Sequence, residues 1–155
     1  MKTSVTLYSF SQYVNAGKLT QLDCIAKAKE LGFDGIEFTE IAGANLEEQK
    51  ENARKLRAEA ERVGIDVVSY TITADLYKET EEARAAEAGR LKGELDIAAI
   101  LGAKLMRHDV CHRLGKKWPA RSFDGMLPYI ADSARKVTEY AETLGIRTCS
   151  ENHGY

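Results

Sequence analysis

Four stretches of the chain repeat apolar side chains at steps of three and four residues, the spacing that gathers them on one face of an α-helix. The clearest is 123–144, where Leu127, Ile130, Ala134, Val137, Ala141 and Leu144 form one stripe. Residues 80–101 carry Leu91, Leu95, Ala98 and Leu101, residues 45–63 carry Leu46, Ala53, Leu56, Ala60 and Val63, and residues 20–31 carry Leu22, Ile25, Ala26 and Leu31. Two of the starts are marked. Thr20-Gln21-Leu22-Asp23 is related to a capping box, and Asn45 stands before Glu47 and Glu48, carboxylates that the helix dipole favours in a first turn. Between the helical stretches lie short, fairly apolar runs at 4–10, 34–39, 66–72, 104–109 and 147–150. They read as strands covered by helices on one face and packed inward on the other.

An apolar residue, a glycine and a β-rich run recur together four times, at Leu31-Gly32-Phe33, Val63-Gly64-Ile65, Leu101-Gly102-Ala103 and Leu144-Gly145-Ile146. Glycine just past a helix takes the left-handed conformation without a Cβ penalty. The glycines are 32, 38 and 43 residues apart, room for one helix, one strand and a loop per unit. The order βαβαβαβαβ implies right-handed crossovers and a parallel sheet. A doubly wound sheet would carry a glycine-rich phosphate turn after its first strand, but the turn here is Ser9-Phe10-Ser11-Gln12-Tyr13. The even repeat suits a (β/α)8 barrel better, although a whole barrel takes about 250 residues. The prediction is an α/β fold: a partial TIM barrel of about five parallel strands and four helices.

Composition changes this picture little. The 155 residues are 44% hydrophobic and 30% charged, an ordinary globular balance, and no linker divides them, so 1–155 reads as one domain. A net charge of -2 exerts no long-range pull on nucleic acid or an anionic membrane. Cys24, Cys111 and Cys149 have no C-x-x-C spacing, which points away from a disulfide framework or a zinc knuckle. Cys24 and Cys149 are expected to be small buried apolar residues. With no apolar leader and no long apolar run, a cytoplasmic location is expected.

Chemistry in barrels of this kind sits at the C-terminal ends of the strands. Every predicted strand end is polar: Ser9; Glu37, Thr39 and Glu40; Tyr70, Thr71 and Thr73; Arg107, His108 and Asp109; and Glu151, Asn152 and His153. Glu151 is the sharpest candidate, because a carboxylate there can both bind a hard divalent cation and exchange a proton with substrate. Glu37 lies inside an apolar strand and needs a partner, either a substrate hydroxyl or Arg107 across the sheet. His108 is a candidate ligand or substrate contact set against ordinary hydrogen-bonded structure. His153 shares a face with Glu151 if the strand continues that far, whereas His112 lies out in the loop. Arg107, Arg113, Lys116, Lys117 and Arg121 make the following loop basic, with Trp118 before Pro119. It reads either as an anion-receiving lid with an aromatic wall for substrate or as an ordinary surface loop.

With these residues in place, the chain resembles the sugar phosphate isomerase/epimerase superfamily, the xylose isomerase-like TIM barrels. The resemblance rests on Leu31-Gly32-Phe33-Asp34-Gly35-Ile36-Glu37-Phe38, on the helix–Gly–strand cadence, and on Ser150-Glu151-Asn152-His153-Gly154. It implies carbohydrate chemistry, the metal-dependent isomerisation or epimerisation of a small sugar or sugar-like acid through an enediolate. It also implies a divalent ion (Mn, Mg, Co or Zn) held in the complete barrel by a Glu, an Asp, a His and a second Glu from the last four strands. Glu151 is similar to the first of those ligands, and Glu37 to a strand-two glutamate beside the substrate. The other ligands would come from strands six to eight, which this sequence lacks. The expectation is therefore the N-terminal portion of a longer barrel, inactive by itself and holding little or no metal. Its exposed sheet edges favour homo-oligomers. A non-catalytic, self-associating half-barrel and an endonuclease IV-like phosphodiesterase are the alternatives, the latter weakened by the acidic charge and the few histidines.

Overall fold

A computed structural model describes residues 1–111 and 122–151. Five parallel strands form one sheet in the order β1-β2-β3-β4-β5: β1 Ser4–Thr6, β2 Gly35–Phe38, β3 Asp66–Ile72, β4 Leu105–His108 and β5 Arg147–Ser150. The helices are α1 Ser11–Asn15, α2 Gln21–Glu30, α3 Leu46–Val63, α4 Glu81–Leu101 and α5 Phe123–Thr143. The four long helices match the predicted ones to within a residue or two at each end.

Their ends have local causes. Thr20 and Asp23 close a full capping box on α2: Asp23 N–H donates to Thr20 Oγ1 at 3.1 Å, and Thr20 N–H to Asp23 Oδ2 at 2.8 Å. Asn45, Thr80 and Ser122 cap α3, α4 and α5 through their side-chain oxygens. The four repeat glycines all have positive φ, between 66° and 88°. At each one the following N–H (Phe33, Ile65, Ala103, Ile146) reaches back to an alanine carbonyl (Ala28, Ala60, Ala98, Ala141) at 3.0–3.1 Å. These are four copies of one Schellman closure. Each of the alanines is buried, which lets the end of its helix lie close to the sheet.

The beginning of the chain departs from the prediction. β1 stops at Thr6, and Leu7–Phe10 is a 3-10 turn leading into the short helix α1. Thr6 Oγ1 accepts from Tyr8 N–H at 3.3 Å and caps the turn. Leu7 and Phe10, three apart, eclipse on the turn and are both buried, while Tyr8 is exposed. The run 4–10, expected as one strand, thus holds a helical spacing in its second half. Ser9 consequently lies in the turn and not at a strand end.

Alternate residues divide the sheet into two faces. Ile36, Phe38, Tyr70, Ile72 and Met106 point toward the helices and pack on Ile25, Leu56, Leu91, Leu95 and Val137, all essentially buried. The opposite, inner face carries two rows set by the strand register, Glu37 level with Ser69 and, further along, Thr71 level with Arg107 and Cys149. A bulge between Ile36 and Glu37 sets Glu37 beside Ser69 and leaves Val68 as the extra residue. Gly35 makes room for it, because a Cβ there would sit 2.6 Å from Val68 Cγ1. Cys24 is buried as expected. Cys149 is exposed, against expectation, since it points to the inner face of the edge strand β5.

Candidate functional site

The inner face opens at the C-terminal strand ends into a cleft of about 600 Å³, whose lining includes Thr6, Glu37, Thr71, Arg107, Asp109 and Glu151. Each strand contributes at or just beyond its end. The centre of the cleft is an ionic group. Arg107 Nη2 lies 3.0 Å from Asp109 Oδ1 and 2.7 Å from Glu151 Oε2, so one guanidinium spans carboxylates from the ends of β4 and β5. Arg107 and Asp109 have side chains only 13% and 6% exposed, whereas Glu151 is 57% exposed and faces the mouth. In such a group the guanidinium orients the outer carboxylate while satisfying the inner one.

A second group lies beside it. Ser69 Oγ donates to Glu37 Oε2 at 2.7 Å, so a hydroxyl from β3 meets the lone polar strand residue of β2. At the rim, Thr73 Oγ1 donates to Glu40 Oε1 at 2.6 Å. Thr71 is level with Arg107 on the neighbouring strand. Its Oγ1 is buried in the cleft wall and has no hydrogen-bond partner among the described residues.

Three of the predicted site residues, Glu37, Arg107 and Glu151, therefore come together. His108 does not join them. Its ring is buried on the helix side of β4, out of register with Arg107, and Nδ1–H donates to the Asp109 carbonyl at 2.8 Å. Burial holds its pKa below the usual histidine value, with Arg107 adding a smaller push the same way. Trp118 and His153, with the basic loop around Trp118, lie outside the described residues. Tyr70, counted from sequence as a polar strand end, also turns to the helices. Its hydroxyl donates to Glu94 Oε2 of α4 at 2.6 Å, and burial together with the Glu94 charge pushes its pKa up.

Sequence reasoning missed Thr6 and Ser69. Counting back from Thr71 in steps of two would have put Ser69 on the cleft face, but matching it to Glu37 requires the bulge, which has no sequence signal. The metal that the resemblance implies finds no matching donor set here. Among the described residues no three His, Cys, Asp or Glu side chains converge as a divalent ion requires. The two carboxylates that do approach each other, Asp109 and Glu151, already share a guanidinium.

Five parallel strands with helices covering one face and polar groups gathered at the C-terminal ends define a partial (β/α)8 barrel. The chain belongs to the xylose isomerase-like TIM barrel family, whose sequence model matches residues 25–155. No curated protein matches it significantly in sequence. Among solved structures it is similar to a D-psicose 3-epimerase crystallised with D-fructose: 22% identity, TM-score 0.75, covering 97% of this chain and 52% of that one. A D-psicose 3-epimerase from Clostridium cellulolyticum H10, solved with D-tagatose, is 18% identical with a TM-score of 0.73, over 97% of this chain and 52% of that one. A 3-keto-D-glucoside 4-epimerase from E. coli is 21% identical with a TM-score of 0.68, over 96% and 54%. The chain thus spans about half the length of the structures it matches. Among the described residues no helix is long and apolar enough to cross a membrane.

Proposed function

We propose that this chain forms the substrate-facing part of a sugar isomerase or epimerase, with the inner-face cleft as the sugar site. The observation that carries this reading is the convergence of Glu37, Arg107 and Glu151 from three strands into one cleft. Glu151 is placed to take a proton from a carbon next to a sugar carbonyl, the step that leads to an enediol, and Arg107 fixes the direction in which its carboxylate points. Glu37, held by Ser69, is placed to accept a hydrogen bond from a sugar hydroxyl. No step is assigned to a metal, since the described residues do not make up its site. On its own the 155-residue chain binds sugar and does not turn it over.

Saturation-transfer NMR with D-fructose and D-tagatose tests the binding. Transfer to the sugar that weakens in Glu37→Gln is the expected result, and its absence at millimolar sugar overturns the reading. Deuterium uptake into the ketose in D2O with added manganese tests the second part. None is expected, and uptake that disappears in Glu151→Gln would show that the chain is active by itself.

A second reading, self-association without catalysis, is favoured by one observation: β1 and β5 are the two edges of the described sheet. Light scattering during size exclusion decides it, and a monomer across the accessible concentration range rules it out.

A further inference from the structure

We propose that Arg107 is the resident cation of a two-carboxylate site, its guanidinium holding at Asp109 and Glu151 the place that a divalent ion would otherwise take. The family resemblance gives Glu151 to a divalent ion, but the structure gives it to an arginine. Strand register builds the group. Arg107 of β4 is level with Cys149 of β5, and two residues beyond each, on the same side of its strand, stand Asp109 and Glu151. Both carboxylates converge on one atom: Nη2 of Arg107 lies 3.0 Å from Asp109 Oδ1 and 2.7 Å from Glu151 Oε2. A cation shared by the two acids would stand where that nitrogen stands.

The inner end of the group is fixed. The Asp109 side chain is 6% exposed, and its backbone carbonyl accepts from the buried His108 ring at 2.8 Å. Withdrawing the guanidinium would leave that carboxylate buried without its counter-ion, so Arg107 keeps its place. Arginine does not give up its proton, so the positive charge is present at every pH at which the chain is folded. A divalent ion approaching Glu151 meets this fixed charge a few ångströms away, with twice the repulsion that a monovalent ion would feel. A single half-exposed carboxylate offers too little attraction to offset it. Arg107 thus supplies, without any bound ion, the positive charge beside the Glu151 carboxylate, whatever ligand the cleft takes.

The test titrates Mn(II) alone against the whole chain, reading the free ion from its electron paramagnetic resonance signal. Wild type is compared with Arg107→Met, with Arg107→Lys, and with Arg107→Met combined with Glu151→Gln. Arg107→Met vacates the point between the two acids and is expected to bind Mn(II) at least about tenfold more tightly than wild type. The double variant should lose that gain, and Arg107→Lys, which keeps the charge, should bind no better than wild type. Thermal melting is a second readout, because Arg107→Met also deprives Asp109 of its counter-ion: Mn(II) should raise the midpoint of Arg107→Met and leave wild type and the double variant unchanged. If Arg107→Met is unfolded without the ion, recovery of its circular dichroism on adding Mn(II) supports the proposal, and no recovery overturns it. Equal Mn(II) binding by wild type and Arg107→Met overturns it as well. A gain in Arg107→Lys as large as in Arg107→Met shows that shape and not charge keeps the ion out, and overturns the role of resident cation. No sugar enters the measurement, so failure of the sugar-site reading leaves this result intact.

Discussion

The two faces of the sheet are built from alternate residues of the same strands, yet they are held by different forces. On the helix side, Phe38, Tyr70, Ile72 and Met106 are sealed against α2 to α5, and the polar atoms there are paired at short range, as in Tyr70 with Glu94 and His108 with the Asp109 carbonyl. On the inner side, the residues between them are acids, hydroxyls and one arginine, only partly covered and tied to each other across strands. The helix side stabilises by removing apolar area from water, whereas the inner side spends part of that stability on holding charge in place. A residue's contribution to folding and to ligand recognition should therefore depend on its parity along the strand.

Truncating the helix side should cost the most. Leu95 is fully buried on α4, and Leu95→Ala should lower unfolding free energy in urea by about 3 kcal/mol with no loss of sugar binding in the molecules that remain folded. A cost under about 1 kcal/mol would show that this face is not the one that secures the fold.

Arg107→Met should cost nearly as much, roughly 3 kcal/mol, because it strips the guanidinium from the buried Asp109 carboxylate. Adding Asp109→Asn should recover part of the loss, which no apolar core position would do. If Arg107→Met leaves the urea midpoint unchanged, the inner ionic group does not contribute to folding and the contrast between the faces weakens.

Tyr70→Phe tests the helix side from its polar edge. It removes the hydroxyl that Glu94 accepts from within the core, and a loss of about 2 kcal/mol in urea is expected at neutral pH.

The smallest effect comes from pH. Burial lowers the His108 pKa in the folded state, so below about 6.5, the ordinary histidine value, the unfolded chain takes up a proton that the folded chain does not. Stability from this residue is fully present above that pH and falls as the pH drops toward the lowered folded value. The urea midpoint should decrease between pH 7.5 and 5.5, and His108→Gln should flatten that part of the curve. A profile that is the same in both proteins would place His108 in water and not in the core.

What could be read along the chain was what neighbouring residues decide among themselves. The capping of α2 by Thr20 and Asp23 spans three positions, and each Schellman closure spans five, so their signals survive in a linear reading. The same holds for the strand β3, found with both ends in place, and for the stripes of α3 and α5 except at their first positions, where Leu46 and Leu127 are exposed. Glu37, Arg107 and Glu151 were recognisable as strand-end polar groups for the same reason.

Tertiary structure decided everything that depends on which strand lies beside which. That Arg107 reaches Glu151, forty-four residues on, depends on the register of β4 with β5. That Glu37 meets Ser69 depends on the bulge opposite Ile36. Parity along β4 turned His108 to the core and Arg107 to the cleft, although both stand at the same polar strand end in the sequence. Chain order specifies interactions over a helical turn, but contacts between strands are set by packing that no single segment contains.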